Sequence, residues 1–499
     1  NEFLDDRVFK FQVYFWNNDD RIVRIPKGSI KELIIHDNIL DWYHSGHIVF
    51  SNPKDVFERA STKYVSGEEI AVLPYRFRND GHDYLYIEID VPIQDDILSS
   101  DTLNNEVFTI RLVCSIYSTI DIPGDSPGDK LKKVNFWDYR HQLMLEKNML
   151  WSTAHAVKRQ SNKNTSKSLY LLNDDARSVH TGDAIKDLIT ESLRTGDTVP
   201  QFEDDFSKGG SRLFYTSPVE SNATHDLSYL LNAHVHDSKN AEPCLLRVNR
   251  YTGKWSLLPI SEFFRRAYIA DKDIPGEYQL DKFYISNESL AGEVGTNQTR
   301  TPEKFTAMNN FTTPENIIGE FEYMDMSPLD SVEFMNTTMV HMYDHKTKQF
   351  NIQQTHGDIE TTREYMKNNI INNMLGGDGG VFPSIVLNKN RTENKNIMTQ
   401  FTNSATKVQE AAVGRNKTIM TAILNGNTIK FISKGLTSRQ SGRFIAIDRS
   451  EGYPPNDFDD KLLGQYLTTS VIHRITGEGY FNEVIGVKPY YFQDLKYNE

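Results

Sequence analysis

Apolar and polar residues alternate with a period of two near both ends of the chain, and that alternation predicts antiparallel β-structure. Near the start, Phe9, Phe11, Val13 and Phe15 alternate with Lys10, Gln12, Tyr14 and Trp16. Asn17-Asn18-Asp19-Asp20 reads as a turn, and RIVRIP opens the return strand. Further strands are expected in IKELIIHDNI, HIVFSN, DYLYIEIDV, FTIRLVCSIYS and KVNFWDYRHQLML. In DYLYIEIDV, Leu85, Ile87, Ile89 and Val91 share one face. Near the other end, Met420-Ala422-Leu424, Ile429-Phe431 and Ile445-Ile447 keep the same period. The last hairpin runs GQYLTTSVIHRIT, turns at Gly477-Glu478-Gly479 and returns as YFNEVIGVKPYYF. Leu467, Val471 and Ile475 mark the inner face of its first strand; Phe481, Ile485 and Val487 mark that of its second. Strand sets of this density suit small barrels or sandwiches.

The period changes between the two strand sets. Residues 155–168 are polar and read as mobile or extended. Residues 183–194 place Ile185, Leu188, Ile189 and Leu193 at helical spacing after Thr181-Gly182. A second helix is expected over 224–235, with Leu227, Leu230 and Leu231 inward. CLLRVNRYTGKWSLLPI follows as a hairpin turning at Thr252-Gly253, and SEFFRRAYIA as a helix. VEFMNTTMVHMYD and QFNIQQTH return to β around a turn near His345-Lys346-Thr347-Lys348. A long helix is expected over 358–375, stopping at Gly376-Gly377, with GGDGG as a hinge and 381–415 polar and irregular.

The expected fold class is mainly β with α+β: two antiparallel β-barrels flank an α+β middle domain, and a helical insertion interrupts the second barrel. The boundaries are 1–147 for the first barrel, 148–315 for the middle domain, and 316–356 with 417–492 for the second barrel. Residues 357–416 form the insertion and 493–499 a short tail. A chain of 499 residues exceeds one hydrophobic core, in keeping with several domains.

Composition narrows the function classes. Hydrophobic content of 38% and charged content of 25% are ordinary for a globular protein. No run approaches the roughly 18 apolar residues of a spanning helix, so membrane insertion is not expected. NEFLDDRVFKF lacks the basic and apolar regions of a secretory signal, so no membrane or organelle address is expected. The formal net charge is −13, and Lys and Arg are scattered without a basic stripe, which argues against a tight phosphate-binding surface. Cys114 and Cys244, the two cysteines, form neither a disulfide framework nor a usual zinc spacing. Cys114 lies on an apolar strand face and is expected as a buried free thiol.

The candidate chemistry reduces to structural readings. His341 and His345 have helical metal-binding spacing, but Met342 stands where a zinc protease needs its general-base Glu, and the local period is two. His234 and His236 end a short helix and read as structural. Asp95-Asp96, Glu203-Asp204-Asp205 and Asp457 with Asp459-Asp460 sit beside Gly, Pro and Asn, where loop acids are solvated. Asp457, Asp459 and Asp460 lack the glycine and final Glu of a calcium loop. Gly124-Asp125-Ser126-Pro127-Gly128-Asp129-Lys130 fails the phosphate-loop spacing, and Pro127 removes a donor. No GxSxG elbow occurs. No catalytic, cofactor-binding or metal residue is assigned, no cofactor is expected, and the chain reads as a non-enzyme.

Several motifs in order resemble one family. SPVESNATHDLSYLLNAHVHD followed by CLLRVNRYTGKWSLLPISEFF resembles the middle domain of bacteriophage contractile-tail baseplate hub proteins. GRFIAIDRS and DKLLGQYLTTSVIHRITGEGYFNEVIGVKPY look like that family's second tube-type barrel, and HTGDAIKDLITESL is similar to the helix after its first. Type VI secretion spike proteins share this organisation. The resemblance implies a structural subunit in the virion tail baseplate, assembled in the bacterial cytoplasm. It implies a homotrimer whose two barrels per subunit make a pseudo-sixfold ring between hexameric tail tube and trimeric central spike. Implied partners are the tail tube protein, the central spike protein, baseplate wedge proteins and the tape-measure protein. Genome DNA would pass through the lumen without specific binding; the net charge of −13 permits either a lumen wall biased towards acids or acids on the outside that only keep the subunit soluble. Carried over from the family are surfaces and no functional residue. The chain ends at Tyr497-Asn498-Glu499, so a C-terminal pedestal or lysozyme-like extension is expected to be absent or supplied elsewhere. A receptor- or carbohydrate-binding tail protein and a β-rich glycan hydrolase remain as alternatives.

Overall fold

The computed structural model describes residues 10–17, 22–52, 61–65, 68–72, 75–78, 82–90, 109–124, 130–148, 150–153, 179–195, 198–203, 206, 212–213, 215–234, 244–249, 253–259, 281–285, 317–318, 321–324, 337–344, 349–356, 427–437, 439–449 and 462–488. Contacts divide the chain into two units. The first holds Asn1–Gln142, Ile432–Gln440 and Ser470–Val484; the second holds Leu143–Phe431, Ser441–Thr469 and Ile485–Glu499.

In the first unit the alternating segments become β1 (Lys10–Asn17), β2 (Ile22–Arg24), β3 (Ile30–Asn38), β4 (Ser45–Ser51), β5 (Ser61–Val65), β6 (Glu68–Val72), β7 (Asp83–Asp90), β8 (Ile110–Pro123) and β9 (Lys130–Asp138), followed by helix α1 (Tyr139–Glu146), which leads out of the unit. Among the described residues β5 and β6 pair only with each other. The rest pair antiparallel in the order β2-β1-β7-β8-β9-β4-β3, and residues 470–476 of a late strand, β21 (Gly464–Thr476), add to β3. Among the described residues this is an open path, not a closed ring.

One phase of each strand supplies the core. Val13, Leu85, Ile87, Ile48, Val134 and Phe136 are all at 0% exposure, and Ile475 and Tyr480 join them. Burying each such side chain contributes about 1.5–3 kcal/mol, which is what selects the register. Gly46 is required where β4 passes β3, since a Cβ there would lie 2.0 Å from the Ile34 carbonyl oxygen and 2.9 Å from the Phe136 ring.

The second unit carries β10 (Val179–His180), α2 (Thr181–Leu193), β11 (Arg212–Leu213), α3 (Ala223–Ala233), β12 (Cys244–Val248), β13 (Trp255–Pro259), β14 (Asp281–Ile285), β15 (Ile317–Ile318), β16 (Phe321–Met324), β17 (Thr337–Asp344) and β18 (Gln349–His356). β19 (Asn427–Lys434) and β22 (Gly479–Lys488), like β21, have residues in both units, and β20 (Phe444–Arg449) lies in the second. α2 buries Ile185, Leu188, Ile189 and Leu193, as its spacing predicts. Its C-terminal carbonyls at Glu191 and Ser192 accept from Lys147 Nζ at 2.9 and 3.1 Å. α3 starts at Asn222, whose side chain accepts from the His225 N–H at 2.8 Å. β12 and β13 form the expected hairpin, with Gly253 at φ +68° in its turn, a conformation that favours glycine.

Several expectations need correction. KVNFWDYRHQLML is not one strand: β9 ends at Asp138, whose carboxylate accepts from the Arg140 N–H at 2.9 Å and starts α1. Leu231 is only half-buried. In β22 the buried phase is Tyr480, Asn482 and Val484, whereas Phe481 and Ile485 are half-buried. Pairing is not purely antiparallel, because β14 runs parallel to both β15 and β20. That contact joins 281–285 to a strand set aside for the second barrel, and residues 470–476 pair with β3 in the first unit. β17 and β18 form the expected hairpin and, among the described residues, pair only with each other. The helices expected in SEFFRRAYIA and over 358–375, the stretch 155–168, the GGDGG hinge, residues 381–415 and Met420-Ala422-Leu424 lie outside the described residues.

Candidate assembly surface

Among the described residues, those weighed for chemistry are not brought together. Cys114 is buried in β8, where burial pushes its thiol well above the ordinary range, and Cys244 lies part-exposed in β12. His234 is buried at the end of α3, its Nδ1 2.8 Å from the Thr181 hydroxyl. Glu203 accepts from Asn249 Nδ2 at 3.3 Å. His341 lies on β17, opposite Ile352, so it is not helical. His236, His345, Asp95, Asp96, Asp204, Asp205, Asp457, Asp459, Asp460 and most of the Gly124 loop fall outside the described residues. Among the described residues no group of three or more acidic, His or Cys side chains could hold a metal ion.

One constellation that sequence reading missed groups Ser221, His225 and Asp226 at the start of α3. The Ser221 hydroxyl donates to Asp226 Oδ1 at 2.7 Å and lies 3.0 Å from His225 Nδ1. Tyr215 donates to the same carboxylate at 2.7 Å, and Ser217 donates to its other oxygen. Burial, then the Asp226 bond, pushes the Tyr215 hydroxyl far above its ordinary range. A nucleophilic triad needs the acid on the far nitrogen of the histidine. Here acid and histidine compete for one hydroxyl, so the cluster is a fully bonded anchor for α3 with no activated nucleophile.

The surface that stands out is the outward phase of the first unit's sheet. Register places Trp16 opposite Tyr84, Tyr84 opposite Ser115, and Ser115 opposite Trp137, one row across β1, β7, β8 and β9. The next row sets Tyr14 opposite Tyr86 and Tyr86 opposite Val113. Trp16 and Tyr84 stack at 5.3 Å with planes 28° apart, and Tyr117 stacks on Trp137 at 4.0 Å and 19°. Beyond Trp137 the rings continue through His141 on α1, which stacks on Tyr43 at 3.8 Å and 15° and meets Trp42 edge-on. Leu40, Val113 and Tyr117 are 58%, 36% and 42% exposed.

This face is close to neutral. Burial holds His141 down at about 4 despite the opposing pull of Asp138, so its ring is uncharged at neutral pH. Glu88 pairs with Arg111 at 3.3 Å. The Ser115 hydroxyl and His141 Nδ1 are buried without a hydrogen-bond partner. A sequence signal for this face existed. Aromatic residues occupy both phases of KFQVYFWN, and Tyr84 and Tyr86 occupy the phase of DYLYIEID opposite its aliphatic Leu85, Ile87 and Ile89, whereas a water-facing phase would be charged.

No protein-family model and no curated protein matches the chain. Solved structures do. The chain is similar to a tail protein from Neisseria meningitidis MC58, with 10% identity over 96% of each chain and a TM-score of 0.47. It is similar to the 43 kDa tail protein of prophage MuSo2 from Shewanella oneidensis, with 9% identity over 96% of this chain and 99% of that one, and a TM-score of 0.45. A third likeness is to a Francisella PdpA–VgrG complex, with 9% identity over 98% of this chain and 53% of that one, and a TM-score of 0.40.

Proposed function

We propose that the chain is a structural subunit of a phage contractile-tail baseplate: a hub that trimerises and joins the hexameric tail tube to the trimeric central spike. Its place is the virion tail baseplate. Wedge and tape-measure proteins are further partners, and DNA passes without specific binding. The observation that carries an assembly role is the neutral aromatic face of β1, β7, β8 and β9, since Tyr and Trp are the residues that dominate protein interfaces. The hub assignment rests on motif order in the sequence. HTGDAIKDLITESL falls largely on α2, THDLSYLLNA on α3, CLLRV and WSLLP on the β12–β13 hairpin, and the closing motif on β21 and β22.

A glycan platform needs ring faces open to water. Tyr117 and Trp137 spend a face on each other, as do Tyr43 and His141, so the geometry favours a protein partner over a sugar. The test is imaging of the purified chain, alone and with tube and spike proteins. Rings of threefold symmetry are expected, and a chain that stays monomeric with both partners present would overturn the reading.

A further inference from the structure

Beside the aromatic rows, the outward phase of the same unit turns ionic. β3 presents Glu32 and His36, β4 His47, β9 Lys133, β21 Arg474 and β22 Glu483. Register sets His36 opposite Ile472 on β21 and opposite Ser45 on β4, while His47 lies between Ile34 and Asn135. Glu32 is the joint. Its Oε2 lies 3.4 Å from His47 Nε2 and its Oε1 3.7 Å from Arg474 Nε, so one carboxylate ties β4, β3 and β21.

We propose that this cluster is an acid-sensitive latch on the seam between β3 and residues 470–476 of β21. At neutral pH the two histidines are uncharged, and the cations Lys133 and Arg474 balance the anions Glu32 and Glu483. Charging both histidines makes four cations against two anions on one half-buried strip. Like charges at this spacing repel, and Glu32 cannot serve His47, Arg474 and Lys133 together.

Directions of titration agree with the geometry. His36 is held below its ordinary value by burial, then by His47, against the pull of Glu483. His47 is held down by burial and Lys133, with Arg474 adding to them against the Glu32 contact. Both groups bind protons more readily in the unfolded chain. The seam therefore has its full stability above about pH 6.5 and loses it as pH falls from there towards the lower folded values. The latch is independent of the assembly reading, because every group belongs to the isolated unit.

Hydrogen exchange of the full chain, corrected for intrinsic rates, tests it at about pH 7.5 and about pH 5, on either side of the ordinary histidine value. Protection of residues 470–476 should fall about tenfold or more at the lower pH, because two added positive charges repel their neighbours across the strip. In His36→Gln with His47→Gln the fall should shrink to less than about threefold, whereas protection in α2 should respond alike in both proteins. Glu32→Gln gives a second arm, removing the joint and lowering protection of the seam already at the higher pH. An equal acid response in wild type and the double variant, or a seam unmoved in Glu32→Gln, would overturn the proposal.

Discussion

On the inner side of the first unit's sheet, Val13, Leu85, Ile87, Val134 and Phe136 are shut off from water. One residue along the same strands, Tyr14, Tyr84, Tyr86 and Trp137 are only partly covered. Both sides are rich in apolar surface, yet only the inner one is finished within the subunit. Aliphatic side chains dominate the finished side because they interdigitate without polar atoms to satisfy. Rings with a polar edge dominate the other, and in the proposed assembly such a face tolerates water before a partner arrives and excludes it afterwards. The lesson is that hydrophobicity alone does not mark a core; the kind of apolar residue separates a face closed at folding from one closed at assembly.

The comparison breaks most sharply under a buried charge. Val471 and Val484 are each 1% exposed, so Val471→Asp or Val484→Asp should cost more than about 4 kcal/mol and abolish folding. Ile485→Asp, one position on from Val484, should cost only about 1–2 kcal/mol and leave a folded chain. Circular dichroism and thermal melts of the purified variants decide. If Ile485→Asp unfolds the chain while Val484→Asp does not, the observed phase of β22 is wrong.

The next effect lies at the edge between the two faces, where Asp138 is buried and Arg140 Nη2 sits 2.6 Å from its Oδ2. Burial alone would raise this carboxyl; Arg140 outweighs it and holds the group below the ordinary range. Its stabilising share is present above about pH 3.9 and is lost as pH falls through the lower folded value. Arg140→Met leaves an unpaired buried carboxylate and should cost about 3 kcal/mol, the low end of the range for buried pairs, because the arginine side chain is 25% exposed. The slope should also invert. With the arginine gone the carboxyl rises above about 3.9, so ionisation opposes folding and stability falls as pH increases from there. Urea melts across that range check both magnitude and sign.

How much of this was legible in the sequence depends on which contacts carried it. The inner phase of β1 and β7 was legible because every second residue is large and apolar, and that of β21 because Leu467, Val471 and Ile475 recur on one face with Thr469 and buried His473 between them. The phase of β22 was not, because Asn482 is polar yet buried: its Oδ1 accepts from the Leu436 N–H at 2.6 Å and Arg439 Nη1 at 3.0 Å, and its Nδ2 lies 2.9 Å from His473 Nδ1. A buried polar network inverts the rule that reads polar as outward. Periodicity also names no partner, so the parallel contact of β14 with β20 and the split of β21 between β20 and β3 left no local trace. The aromatic face was written in the sequence, as a second apolar phase, but its continuity through Trp42, Tyr43 and His141 comes only from the fold.

The smallest effect on folding should be the largest on assembly. Tyr117 is 42% exposed and contributes one ring face to Trp137, so Tyr117→Ser removes little that the isolated subunit needs. Its stability should stay within about 0.5 kcal/mol of the parent, since exposed substitutions away from buried networks rarely do more. A truncated aromatic anchor at the centre of an interface commonly costs about 2 kcal/mol or more per contact, which lowers an association constant about thirtyfold. Light scattering over a concentration series should therefore show rings dissociating at concentrations where the parent remains assembled, with unchanged melting. Val113→Lys, 36% exposed on the neighbouring row, should act in the same direction by placing a charge on a neutral face. If both variants assemble like the parent, contacts between subunits lie elsewhere and this face meets a different partner. If both melt early, the aromatic rows belong to the fold after all, and the distinction between a face closed at folding and one closed at assembly fails for this sheet.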